Sequence, residues 1–241
     1  QITGDSLLFS QRPLEHRNFI FPIELKQGDG LNLYLKVSSQ SSLKIPITLW
    51  EQKYFIEHDQ TRVLAQGLFF GILIIMTVYN LFIFISIREK AYLFYVFYVA
   101  SNIVVQASLK GFVYQFVLFD HPDWNDKLII FSMNAVIFFA CAFALNFLNL
   151  KHNSQFAYHL LRLIAALSVL SFMLAFGIEY QYAIMWALFL ATVSSVLITC
   201  IGLFLWLING LHEARYFSVA WLSFLIGSFL LSLNRLQIIP D

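Results

Sequence analysis

The stretch YNLFIFISIREKAYLFYVFYV, Tyr79 to Val99, decides the fold. An apolar run stops at Ile87, three charged residues follow, and a second apolar run begins at Tyr92. A helix buried in a water-soluble core has no use for so brief an interruption. A membrane hairpin does: Arg88, Glu89 and Lys90 form its cytosolic tip, and the aromatic residues from Tyr92 onward sit where Tyr rings favour the lipid–water boundary.

Composition agrees. The chain of 241 residues is 59% hydrophobic and 12% charged, with mean hydropathy +0.72. Soluble domains carry about 25% charged residues, so lipid is the expected main solvent. Six runs approach the roughly 20 apolar helical residues that a bilayer core demands: 64–87, 92–109, 128–148, 158–177, 182–207 and 216–234. None shows the ten-residue alternation of an outer-membrane barrel strand.

The charges divide the chain. Residues 1–62 hold seven of the fifteen Lys and Arg and seven of the fourteen Asp and Glu. Within this part FIFPIEL (Phe19–Leu25), LNLYLKV (Leu31–Val37) and LKIPITLW (Leu43–Trp50) alternate like strands, and turn-forming residues separate them. The expected organisation is a partial β-sandwich over residues 1–60, then a polytopic helix bundle over 61–241. Gln52–Arg62 is read as a link between the two. Three strands bury little by themselves. The chain is therefore expected to be cut from a longer protein, with the front of the sandwich upstream and a seventh helix downstream.

Orientation follows from Lys and Arg in short loops. With the N-terminus outside, inner segments hold Arg88, Lys90, Lys151, Arg162 and Arg215, and outer ones Lys110, Lys127 and Arg235. The expected location is the bacterial inner membrane, with the leading segment periplasmic or extracellular.

Gly67 and Gly71 form GxxxG, and Ala187, Ala191 and Ser195 repeat small residues at the same spacing; together with Asn80 these are read as helix-packing positions. Packing within the bundle is the plainer reading, and a homodimer face is the other. Polar residues inside the spans are expected to face the bundle and hydrogen-bond neighbouring helices. Asn102 and Gln106 are candidates for a ligand pocket or polar switch in the outer half. Asp120-His121-Pro122-Asp123-Trp124-Asn125-Asp126 matches no zinc or calcium signature and reads as a solvated outer loop, with Asp120 and Asp123 as weak ligand candidates. No metal site, cofactor or catalytic residue is assigned, because the chain has no GxSxG, HExxH, P-loop or GxGxxG sequence. Cys141 and Cys200 lie in apolar runs as small buried hydrophobes. The near-zero net charge argues against a nucleic-acid partner. The expected partners are the bilayer, an extracytoplasmic small molecule or glycan, and a cytosolic signalling module.

These patterns resemble the bacterial seven-transmembrane receptors with diverse intracellular signalling modules. FPIELKQGDGLNLYLKVSSQSSLKIPITLW is similar to the end of the family's extracellular sensor domain, and GLFFGILIIMTVYNLFIFISIREKAYLFYVFYV to its first two helices. KGFVYQF (Lys110–Phe116) fits the loop after the second helix, and LNRLQIIP (Leu233–Pro240) the turn into a seventh. The resemblance implies a jelly-roll-like sensor domain related to carbohydrate-binding modules. It also implies a non-enzymatic membrane region that signals to a histidine kinase, diguanylate cyclase or phosphatase. The alternative is a transporter or channel. It would place charge or broken helices at mid-membrane; no Asp, Glu, Lys or His lies near the centre of a run, and only Gly202 interrupts the fifth.

Overall fold

A computed structural model describes residues 2–5, 7–25, 28, 30–38, 47–119 and 121–235. Within helices, it leaves undescribed the side chains at 122, 123, 224 and 228–235. The described chain is mainly helical. The helices are α1 (Gln52–Ile87), α2 (Lys90–Leu109), α3 (Phe112–Phe116), α4 (Pro122–Phe147), α5 (Leu150–Asn153), α6 (Gln155–Leu174), α7 (Tyr180–Leu207) and α8 (His212–Arg235).

Five of these, α1, α2, α4, α6 and α7, are long and apolar enough to cross a membrane. The sixth expected span, 216–234, falls on α8, which is not among the five; much of its second half has undescribed side chains. The helices begin a few residues before the apolar runs do. Their first turns stand in water, where composition says nothing about helicity but backbone hydrogen bonding continues.

The difference is largest in α1. It starts at Gln52, so Gln52–Arg62 is not a link but the first turns of one 36-residue helix. At 1.5 Å per residue the rod is about 54 Å long, well beyond the ~30 Å hydrocarbon layer. Its polar end stands above the bilayer.

No strand forms among the described residues, so the expected β-sandwich segment is absent there. Phe19–Leu25 and Leu31–Val37 form neither strand nor helix. Leu31, Leu33 and Leu35 are exposed. Alternation marks a strand's two faces, but a ladder needs a neighbour to receive its hydrogen bonds. The front of the third predicted strand, 43–46, lies outside the described residues.

The tip of the α1–α2 hairpin is tighter than expected. Arg88 is left-handed (φ 61°) and its N–H donates to the Phe84 carbonyl at 2.7 Å, while Glu89 caps α2 and Lys90 already belongs to it. The cluster read as an outer loop also folds: Pro122 to Asp126 form the start of α4, where a proline in the first turn loses no hydrogen bond.

Helix α4 is the centre of the bundle, packed against α2, α6 and α7. Ala140, Cys141, Ala142 and Ala144 let its neighbours approach closely, and Ile137, Leu161, Ile198 and Leu205 fill the space between. An aromatic cluster ties α2, α4 and α8 together. Tyr95 meets Phe143 at 5.4 Å, Phe143 meets Phe217 at 5.9 Å, and Trp221 stacks on Phe217 at 5.5 Å and reaches Tyr98 at 5.8 Å.

Among the described glycines, the one closest to a neighbouring helix is Gly202. Helix α7 runs through it without a break. A Cβ there would lie 2.7 Å from Ser218 Oγ and 3.0 Å from Phe217 Cδ1 of α8. At Gly67 and Gly71 nothing lies within 4 Å, so the GxxxG pair makes no such contact with the described chain. Gly202→Ala should lower the unfolding temperature in detergent, by an overpacking cost of about 1–3 kcal/mol. Gly67→Ala should leave it unchanged, and adding Ser218→Ala to Gly202→Ala should recover part of the loss. Equal sensitivity at Gly67 and Gly202 would contradict this packing.

Candidate functional site

The N-terminal segment carries three basic side chains in close succession, Arg12, His16 and Arg17. The fold turns each toward a different partner. A 3-10 turn at Phe9–Gln11 starts the arrangement, and the Phe9 N–H donates to the Phe119 carbonyl at 3.3 Å. This ties the segment to the connection between α3 and α4.

Arg12 is buried, at 8% exposure. Its guanidinium lies 4.5 Å from the Phe19 ring centroid, 4.8 Å from Phe9 and 5.2 Å from Tyr114. Nη1 donates to the carbonyls of His16 (2.8 Å) and Arg17 (2.9 Å). Burial pushes the guanidinium below its usual pKa, with the neighbouring Tyr114 and Asp5 opposing the shift. Three rings and two carbonyl dipoles hold this cation in place of a carboxylate partner. Tyr114 of α3 completes the contact: its hydroxyl donates to the Leu7 carbonyl, and its ring stands edge-on to Phe9 at 5.7 Å. Burial pushes the Tyr114 phenol above its ordinary range, and Arg12 pulls the other way.

Arg17 reaches α1. Nη2 donates to Asp59 Oδ1 at 3.1 Å and Nη1 to Gln66 Oε1. The guanidinium also lies over the ring of Phe112, 4.9 Å from its centroid. His16 joins the same carboxylate, with Nε2 3.3 Å from Asp59 Oδ2. Its Nδ1 accepts the Asn18 N–H at 3.0 Å, which leaves the proton on Nε2, facing Asp59. Gly111 allows the close approach. Its φ is +78°, and a Cβ there would lie 3.4 Å from that of Arg17.

One short segment therefore grips two bodies at once: the extramembrane turns of α1 through Asp59 and Gln66, and the α2–α3–α4 connection through Phe112, Tyr114 and Phe119. Chemically the junction is a mechanical linkage rather than a reaction centre. Among the described residues no three His, Cys, Asp or Glu side chains converge.

The residues selected from sequence lie elsewhere. Asn102 Nδ2 donates to the Tyr98 carbonyl of its own helix at 3.0 Å, and Gln106 sits one turn further on. The structure brings neither to an acidic residue. Asp120 lies outside the described residues, and Asp123 occupies the first turn of α4. Asn80 is buried and donates to the Met76 carbonyl at 2.8 Å. Ala187 is fully buried and Ala191 packs against the core, while Ser195 Oγ is buried without a hydrogen-bond partner among the described residues. The expectation that polar side chains bond across helices is thus corrected: Asn80, Asn102, Asn134, Asn146, Thr192 and Thr199 all donate to a carbonyl one turn back in their own helix. That acceptor is always within reach in hydrocarbon.

The profile of 7TM diverse intracellular signalling matches residues 62–241, and that of 7TMR-DISM extracellular 2 matches residues 1–51. The chain belongs to the 7TMR-DISM family. It is a multi-pass membrane region of a sensory, signalling kind, with an extracellular part at its N-terminus. No curated protein and no solved structure matches it. The two 7TMR-DISM matches meet between residues 51 and 62, within the α1 turns that Arg17 and His16 grip through Asp59.

Sequence reasoning missed this junction because Arg12 and Arg17 were given no role and Gln52–Arg62 was read as a link. Asp59→Asn keeps the shape and removes the charge that Arg17 and His16 both meet. It should free the segment, seen as faster amide hydrogen exchange around His16–Asn18 with the α4 amides unaltered. Unchanged exchange near Asn18 would mean that the carboxylate does not hold the segment.

Proposed function

We propose that this 7TMR-DISM region carries an extracytoplasmic stimulus to a cytosolic signalling module, of histidine kinase or diguanylate cyclase type, by moving α1 against the α2–α4 pair. The observation that carries the reading is the double grip of the N-terminal segment. Arg17 and His16 hold α1 through Asp59, while Phe9 and Arg12 hold the α3 connection. A displacement of the extracellular part shifts one grip relative to the other.

Three further features support it. Helix α1 is continuous from Gln52 to Ile87, so motion at Asp59 travels its whole length. Asn80 is its single buried residue, so few core contacts resist its movement. The two-residue turn Arg88-Glu89 then passes that movement to α2 and the aromatic cluster beyond it. A stimulus changes such an equilibrium only by its differential affinity for the two arrangements.

In this reading α8 is a sixth span, residues 1–60 belong to an extracytoplasmic sensor domain binding a small molecule or glycan, and the protein resides in the bacterial inner membrane. Asn102, Gln106, Asp120 and Asp123 remain candidates on the outer side of the bundle for contact with that domain or its ligand.

Two measurements test the proposal. A membrane-impermeant thiol reagent should modify a cysteine placed at Ser10 in intact cells, and one at Lys90 only after permeabilisation. In the full-length protein, Asp59→Ala should change the basal output of the cytosolic module several-fold, while Lys127→Gln should not. Labelling of Lys90→Cys from outside would overturn the orientation, and unaltered output in Asp59→Ala would overturn the lever.

A further inference from the structure

From Lys127 to Ile178 the chain has no Asp or Glu, yet it carries Lys127, Lys151, His152, His159 and Arg162. All but Lys127 gather at one end of the bundle, where α4 hands over to α5 and α6. Lys151, His152, His159 and Arg162 are all exposed.

Arg162 stands out because of its depth. Helix α6 is apolar enough to cross a membrane, and Arg162 lies seven residues past its first, Gln155. That places it about 10 Å along the axis. The face it occupies is not covered by another described helix: His159 and Ala166, one turn either side, are exposed, and Val169 is 44% exposed. A cation on a lipid-facing surface at this depth is costly unless it reaches an anion or the interface.

The local geometry provides that reach. Side chains on a helix lean toward its N-terminus, which here is the interfacial end. Arg162 does so: Nη1 donates to the Tyr158 hydroxyl at 3.3 Å, and its guanidinium lies 5.3 Å from the Tyr158 ring centroid, one turn nearer the interface. Tyr158 is itself packed against the core, so it fixes the position of the guanidinium. Among the described residues one of its five donors is used and no carboxylate lies within ion-pair distance.

We infer that Arg162, with Tyr158, His159 and Lys151, forms a binding site for the headgroup of an anionic phospholipid. The phosphodiester is the anion present at this depth, and its paired oxygens match the planar guanidinium fork. Lys151, one turn outside the span, adds a second positive charge. With no carboxylate within ion-pair distance among the described residues, that charge attracts an anionic headgroup and repels the ammonium of a zwitterionic one. The assignment to the inner leaflet rests on the orientation proposed above, whereas the chemistry of the site does not.

The test uses the whole chain in symmetric nanodiscs containing equal amounts of phosphatidylglycerol and phosphatidylcholine, followed by native mass spectrometry of the retained lipid. Both leaflets are alike, so failure here is separable from failure of the orientation. The wild-type chain should retain phosphatidylglycerol in preference. Arg162→Gln should reduce that preference by about tenfold, as expected for one charge-assisted contact of roughly 1.4 kcal/mol, and Lys127→Gln at the other end should not. If Arg162→Gln does not fold, Arg162→Lys serves in its place: it keeps the charge, loses the fork, and should retain less. Excess inorganic phosphate should not displace the lipid. Equal retention of the two lipids by the wild-type chain, unchanged retention in the folded variant, or displacement by inorganic phosphate would each overturn the assignment.

Discussion

Inside hydrocarbon a backbone N–H has no partner except the carbonyl one turn back, and everything else in this molecule follows from that constraint. It makes each crossing a continuous helix. It also governs polar side chains: Asn80, Asn102, Asn134 and Asn146 turn inward on their own helices. Cohesion between helices then falls to shape. Small residues on α4 and at Gly202 bring backbones together, and aromatic rings fill the wider gaps.

Above the bilayer the rule changes. Water competes for each hydrogen bond, and directional contacts must hold the N-terminal segment in place. Arg12 and Arg17 do this in different ways. Arg12 is enclosed by rings and carbonyls and fixes the segment's own shape. Arg17 spends its donors on α1, with its guanidinium face on Phe112. The guanidinium suits both tasks because it is planar and weakly hydrated. The first basic residue is structural cement, and the second is a coupling.

The sequence was most legible where lipid dictates composition. The apolar runs, the charged hairpin tip and the family resemblance are all readable from residue order, because hydrocarbon tolerates so few alternatives. Legibility fell where water returns. The polar start of α1 read as a link, since Gln, Lys, Glu and Asp are equally at home in a loop. Pro122–Asp126 read as a loop although a proline suits a first helical turn. Strand alternation in Leu31–Val37 was visible, but pairing depends on a neighbour that pattern cannot supply. The junction was hidden for a related reason. Arg17 and Asp59 are far apart in sequence, and nothing in the intervening residues states that they meet. Gly67-xxx-Gly71 shows the opposite failure, a familiar spacing with open space above it, while Gly202, noted as an interruption, packs directly against α8.

The turn at Arg88-Glu89 has one more implication. Only two residues separate α1 from α2, and Arg88 is held left-handed by its bond to Phe84. So short a joint has no slack. A joint without slack makes the ends of α1 and α2 a single stiff elbow, and Tyr95 and Tyr98, one and two turns along α2, carry that stiffness to the rings of α4 and α8.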